Sequence, residues 1–210
     1  MAGEKRSGGK LSRTAILKTA LEILDREGID ALSMRSLGRE LHVEAMSLYN
    51  HIGGKEELLD GIVEAILTEV ETFPPSSDWK ADLKKGAYAY RDTLFRHPHA
   101  LPVLATRPVT TAIGLEEVEA ILFLLNQGGI SGLPALYFLN NLFAYIIGHA
   151  LLVAGITPGT ETPAPSLASK NSVVSDGLPL VLSLLDEMKE RSFDVEFAQG
   201  LDAMLRQVSI

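Results

Sequence analysis

The sequence predicts an all-α fold in two parts: three short N-terminal helices extended by a connecting helix, and a longer C-terminal helical bundle. Three observations predict it. Apolar residues recur with a 3.6-residue period along the chain, without strand-like alternation. Glycine and proline separate the periodic segments. Pro74-Pro75-Ser76-Ser77 breaks the pattern once more sharply and sets two domains, 11–72 and 78–210.

In the first part, Ser12 is the expected N-cap of a helix with the stripe Leu17, Ala20, Leu21 and Leu24, and Gly28 should end it as a left-handed cap. Ser33 caps a second helix, with Met34, Leu37 and Leu41 on one face. A third begins at Glu44 or Ala45 and ends near Ile52-Gly53-Gly54. A fourth spans 55–72 on the stripe Leu58, Leu59, Ile62, Val63, Ile66 and Val70. The second part should hold helices at 78–96, closed before Pro98, at 100–106, stopped by Pro108, at 111–126, ended by Gly128-Gly129, and at 133–154, the most apolar. Residues 155–176, rich in Pro, Gly, Ser and Thr, read as a poorly ordered loop before two final helices at 178–190 and 195–208.

Composition narrows the function. There is no cysteine, which removes disulfides, thiolate metal sites and cysteine nucleophiles and suits a reducing cytoplasm. The basic N-terminus has no apolar run behind it, so it is not a signal peptide. The segment 133–154 is interrupted by Pro134, Asn140, Asn141 and His149, which favours a buried helix over a membrane span. A cytoplasmic protein with no membrane partner is expected. The net charge of −8 is unevenly placed: residues 1–55 carry nine Lys/Arg against seven Asp/Glu, and residues 56–210 carry ten against twenty. A local basic patch attracts phosphate whatever the global sign.

The stretch from Leu32 to Lys55 carries the chemistry. Two short helices joined by a tight turn form a helix-turn-helix if the second leaves one face free for base edges. Leu37 and Leu41 on the first, with Leu48 and Ile52 on the second, supply the packing. Ala45, Met46, Ser47, Tyr49, Asn50 and His51 then point outward. Small Ala45 permits close approach to a groove and can touch a thymine methyl, as can Met46. Ser47 and Asn50 offer hydrogen bonds to bases, and asparagine can pair with adenine. Tyr49 and His51 suit phosphate, and Lys55 adds a cation beside the free amides of a helix start.

These residues resemble the tetracycline-repressor (TetR) family. The resemblance rests on Leu32-Ser33-Met34-Arg35, Leu37 and Leu41, Val43, Leu48-Tyr49-Asn50-His51, and Gly54-Lys55-Glu56-Glu57-Leu58-Leu59. It implies that Met34, Arg35, Ala45, Met46, Ser47, Tyr49, Asn50, His51 and Lys55 occupy DNA-contacting positions on a double-stranded operator. His42 stands where the family usually has glycine; histidine tolerates positive φ, so the turn should survive at some cost. The resemblance further implies a C-terminal bundle that binds a small-molecule effector and forms a homodimer through two helices of each subunit. The candidates are 133–154 with either 178–190 or 195–208.

Thr106-Arg107-Pro108, Asn126-Gln127-Gly128-Gly129 and a later helix containing Gly148 match the layout of tetracycline repressors. Their magnesium site is marked by a histidine three residues before the Thr-Arg-Pro and a glutamate four residues after the helix glycine. Val103 and Leu152 occupy those positions here, and neither can serve a hard cation. No metal and no cofactor are expected, and the effector should be small and fairly apolar rather than a metal–tetracycline chelate. Candidate pocket residues are the polar and aromatic groups on apolar helices: His97, His99, Tyr137, Asn140, Asn141, Tyr145 and His149.

Signatures of catalysis are missing: no Gly-x-Ser-x-Gly, no P-loop, no Gly-x-Gly-x-x-Gly after a strand and no His-Glu-x-x-His. The expected activity is therefore regulation without catalysis, with repression released by a ligand. Two other readings stand beside it. One is a regulator of the same fold that activates transcription or answers to a protein partner. The other is a helical enzyme or carrier whose N-terminal hairpin only looks like a DNA reader; loss of all specific DNA binding would point there.

Overall fold

The computed structural model describes residues 11–107, 109, 111–155, 178–184, 187 and 191–208. Among these every regular element is helical: α1 Arg13–Glu27, α2 Met34–Glu40, α3 Ala45–Leu48, α4 Lys55–Thr68, α5 Trp79–Arg96, α6 Leu101–Thr106, α7 Ala112–Gln127, α8 Gly132–Ala154, α9 Pro179–Leu184 and α10 Phe193–Gln207. Short 3₁₀ turns occupy Ile29–Ala31 and Pro98–Ala100. Lys5, Arg6, Lys10 and residues 156–176 of the expected loop lie outside the described residues.

Local side chains set several helix starts. Ser12 Oγ accepts from the Ala15 N–H at 3.2 Å, the Asp78 carboxylate from Ala81 at 3.0 Å, and Thr111 Oγ1 from Gly114 at 3.2 Å. Ser33 and Ser36 form a reciprocal capping box at the start of α2. Gly28 has the positive φ expected of it, 82°, but an extended ψ of 177°, so it turns the chain out of α1 rather than capping it in the left-handed helical region. α4 stops four residues before the expected end. Thr68 donates its hydroxyl to the Glu64 carbonyl at 2.8 Å, and Glu69 is drawn to Arg96 and His97 instead of continuing the helix.

α1 crosses α4 closely because Gly61 has no side chain; a Cβ there would lie 2.4 Å from Leu17 Cδ2. Ile16, Ala20 and Leu24 are buried in the same core as Leu58, Ile62 and Ile66. The core continues into the bundle, where α8 packs on α5, α6, α7 and α10. By length and hydropathy α8 could cross a membrane, yet Ala135, Phe138, Leu139, Leu142, Ile146 and Ala150 are buried within the bundle. Its opposite face leaves Leu133, Leu136, Tyr137 and Leu152 exposed. Tyr145 and His149 hold α10 on α8: the Tyr145 hydroxyl donates to the Phe197 carbonyl at 3.0 Å, and His149 Nε2 donates to the Phe193 carbonyl at 3.1 Å.

Candidate functional site

α2 and α3 meet through a turn with a defined hydrogen-bond pattern. The Val43 N–H donates to the Gly38 carbonyl at 2.9 Å and the His42 N–H to the Arg39 carbonyl at 3.3 Å, the arrangement of a Schellman cap. That cap needs a residue of positive φ after the helix, and His42 supplies it at φ 57°. At Gly38 the turn and the start of α3 leave no room for a side chain: an added Cβ would lie 2.9 Å from the Val43 oxygen and 3.2 Å from the Ala45 nitrogen.

Leu37, Leu48 and Ile52 are buried beneath this turn, and they fix which side of α3 faces out. Met46 and Tyr49 are exposed despite their apolar bulk, at 75% and 47%. Asn50, His51, Arg35 and Lys55 are exposed as well, and Met34, Ala45 and Ser47 are half-buried. All nine expected DNA-contacting positions therefore retain access to solvent. Arg35, Arg39 and Lys55 make no ion pair with any described residue. By contrast Arg13, a cation of the basic N-terminus, is committed to Glu64 at 3.1 Å. Gly54, at φ 153°, precedes α4 without a side-chain cap, so the first amides of that helix face outward beside Lys55.

The head joins the bundle through a polar junction that sequence reasoning missed. His97, buried at the end of α5, places Nδ1 2.8 Å from Asp25 Oδ2 on α1 and Nε2 3.0 Å from Glu69 Oε2 beyond α4. Both are donor–acceptor contacts only when the ring carries both protons. The hydrogen bond from His97 is the main cause that holds the Glu69 carboxyl below its ordinary range. His99 Nδ1 lies 2.9 Å from the Asp25 carbonyl, which accepts its proton. At the other end of α4, Arg107 donates to Asp60 at 2.7 Å and to Glu56 at 3.0 Å. These partners are 72, 28, 47 and 51 residues apart for the pairs His97–Asp25, His97–Glu69, Arg107–Asp60 and Arg107–Glu56, so no local signal announced them.

The bundle holds a half-open cavity of about 530 Å³ between α4, α5, α7 and α8. Leu83, Ala87, Leu142, Phe143 and Ile146 form much of its wall, and Leu67 and Val70 bring in the end of α4. That size lies within the roughly 300–1,000 Å³ of sites that enclose small molecules. Tyr90 and Phe143 meet edge to face there, ring centroids 5.5 Å apart.

None of the seven residues expected to line a pocket is among the residues that line this one. His97 and His99 serve the junction just described. The Tyr145 hydroxyl and His149 Nε2 bond to α10, His149 Nδ1 is buried without a partner, and burial holds the His149 imidazole below its ordinary value. Tyr137, Asn140 and Asn141 are exposed on the outer face of α8. Tyr90 was overlooked because α5 is rich in charge and did not read as a cavity wall. Among the described residues no group of three or more His, Cys, Asp or Glu is placed to hold a metal ion; the two carboxylates at His97 lie on different ring nitrogens and do not converge. Val103 is buried in α6, Leu152 is exposed on α8, and neither touches the cavity.

Two family profiles match the chain: "Bacterial regulatory proteins, tetR family" over residues 16–62 and "Tetracyclin repressor-like, C-terminal domain" over residues 73–208. The HTH-type transcriptional repressor DrrR1 of Streptomyces coeruleorubidus is 31% identical, an alignment that covers 93% of this chain and 76% of that protein. The class C tetracycline repressor of Escherichia coli is 29% identical over 92% of this chain and 99% of its own. Among solved structures, the actinorhodin complex of ActR, a protein of Streptomyces coelicolor, superposes with a TM-score of 0.82 at 30% identity, covering 95% of this chain and 97% of that one.

Proposed function

The chain belongs to the TetR family of bacterial regulatory proteins and is a ligand-responsive transcriptional regulator; we propose that it is a repressor released from its operator by a small, largely apolar effector held in the bundle cavity. The observation that carries the DNA-binding side is the outward face of α3, where Met46, Tyr49, Asn50 and His51 stand exposed over buried Leu48 and Ile52. In this reading Ala45, Met46, Ser47 and Asn50 meet base edges, while Tyr49, His51, Arg35 and Lys55 meet phosphates and Met34 packs at the groove edge. The protein binds DNA as a homodimer, which puts two copies of α3 into successive major grooves about 34–36 Å apart on a palindromic site. The exposed α8 face of Leu133, Leu136, Tyr137 and Leu152, with Leu180 and Leu184 of α9, is the surface we assign to the partner subunit. The effector is not a magnesium–tetracycline chelate, because Val103 and Leu152 offer no oxygen ligand. We place the protein in the cytoplasm, without catalytic activity.

Selection of bound sequences from a random DNA pool, followed by substitution, tests this reading. Asn50→Ala should weaken specific binding more than non-specific binding, and equal losses would remove Asn50 from base contact. Lys55→Ala should weaken both and lower the salt dependence of binding by about one ion. An intact protein that selects no sequence at all would return the chain to the enzyme or carrier reading.

A further inference from the structure

The cavity carries charge of one sign. Glu71, Glu116, Glu117 and Glu119 all line it, and no Lys, Arg or His does among the described residues. None of these four carboxylates forms a hydrogen bond or ion pair with a described residue. A fifth, Asp82, differs: it accepts from Ser76 and pairs with Lys85, so it is already satisfied. Deeper in, Tyr90 is 8% exposed and lines the cavity, and its hydroxyl has no hydrogen-bond partner among the described residues. That oxygen is not sealed in protein but open to the cavity, where it can donate to a guest. Burial also pushes the Tyr90 hydroxyl well above its ordinary value, which keeps it a neutral donor.

We propose that the cavity selects a flat aromatic cation: a ring system against the Tyr90–Phe143 wall, an acceptor atom on the Tyr90 hydroxyl, and a protonated amine among Glu71, Glu116, Glu117 and Glu119 at the mouth. The inference rests on the effector reading above and adds the charge of the ligand. Glu71, Glu116 and Glu119 are exposed and Glu117 is half-buried, so they act through summed potential rather than through one desolvated pair. The same potential excludes carboxylates, which no cation in the lining would receive.

A matched set of probes tests it: 9-(aminomethyl)acridine as the cation, charged on its side-chain amine with the ring nitrogen free as an acceptor, acridine as the neutral ring and acridine-9-carboxylate as the anion, each titrated into the full-length protein at neutral pH and low salt. The cation should bind about tenfold more tightly than acridine and the anion more weakly than either. The triple variant Glu116→Gln, Glu117→Gln, Glu119→Gln should bring the three affinities together, as should high salt. Tyr90→Phe should weaken acridine, whose ring nitrogen is an acceptor, without altering the cation–anion order. An anion that binds as well as the cation, a preference that survives the triple variant, or no binding by any probe overturns the proposal. Ala87→Trp, which fills the cavity, separates this from failure of the effector reading. If the probes bind without charge preference and Ala87→Trp abolishes binding, the cavity is a ligand site and only the charge assignment is wrong. Binding untouched by Ala87→Trp removes the cavity from effector recognition altogether.

Discussion

His97→Leu should destabilise the protein by about 2–4 kcal/mol, and the figure follows from what the imidazole touches. Its side chain is 9% exposed and faces Asp25 at 2.8 Å and Glu69 at 3.0 Å. A hydrogen bond to a charged group contributes roughly 1.5–3 kcal/mol. Glu69 is 42% exposed, so water replaces much of its bond and its share falls towards the about 0–1 kcal/mol of surface pairs. Asp25 is different: its Oδ1 is buried and already lacks a partner, so leucine would strip the donor from Oδ2 too. Most of the cost therefore arises at Asp25. Urea melts of the wild type, His97→Leu, Asp25→Asn and the double variant should show it, with Asp25→Asn recovering part of the loss in the His97→Leu background. Costs that add to within about 0.5 kcal/mol would refute the reasoning. The contact also has a pH signature. His97 holds the folded-state pKa of Glu69 below its ordinary 4.5, so the unfolded chain binds more protons in that window. This contribution is complete above pH 4.5 and is lost as the pH falls through the folded value. His97→Leu should flatten that acid limb, by a small amount given the exposure of Glu69.

Gly38→Ala should cost about 1–3 kcal/mol and weaken operator binding, because the new Cβ meets the backbone of Val43 and Ala45, which cannot move without splaying α2 from α3; unchanged affinity in a gel-shift titration counts against it. His42→Gly should do the reverse and stabilise by about 1 kcal/mol, since only the conformational cost of φ 57° is removed; a midpoint rise of a few degrees in a thermal melt is expected, and a fall would show that the imidazole contributes a contact of its own. Leu136→Glu with Leu152→Glu should leave the helical content intact while shifting the protein to monomer in analytical ultracentrifugation, with loss of operator binding; a dimer that persists would move the interface elsewhere.

The parts of the fold that were legible in the sequence are those decided locally. A serine or threonine before an apolar stripe, as at Ser12, Ser33 and Thr111, caps its own helix, so the starts of α1, α2 and α7 could be read directly. Leu48 and Ile52 announced their burial by spacing, and their burial aims the rest of α3 outward. Even the strain at His42 was legible, because the turn demands one left-handed residue. The cavity was not. A helix as apolar as α8 has no polar face to say which side turns inward. Polar residues on such a helix looked like ligand contacts, but Tyr145 and His149 answer carbonyls of α10, while Tyr137, Asn140 and Asn141 face out. The two inward polar groups of α8 bond backbone atoms of a distant element, and that pairing is a property of the packed bundle rather than of any window of sequence.

The junction explains how occupancy of the cavity can reach α3. Leu67 and Val70 line the cavity, and Glu69 between them is held by His97, which also holds Asp25 of α1. An effector that displaces Leu67 and Val70 therefore displaces the anchor of α1 as well. The movement cannot be absorbed at the start of α4, because Arg107 fixes Glu56 and Asp60 there, one and five residues beyond Lys55. In the proposed reading, with α4 held at both ends and packed on α1, the head follows it and the spacing of the two α3 helices in the dimer changes. His97→Leu cuts the link on the α1 side while leaving the cavity lining untouched. It should lower the factor by which an effector weakens operator binding, with little change in effector affinity for the DNA-free protein. Full release at the wild-type effector concentration would mean that α4 drives the head through its apolar contacts with α1 alone.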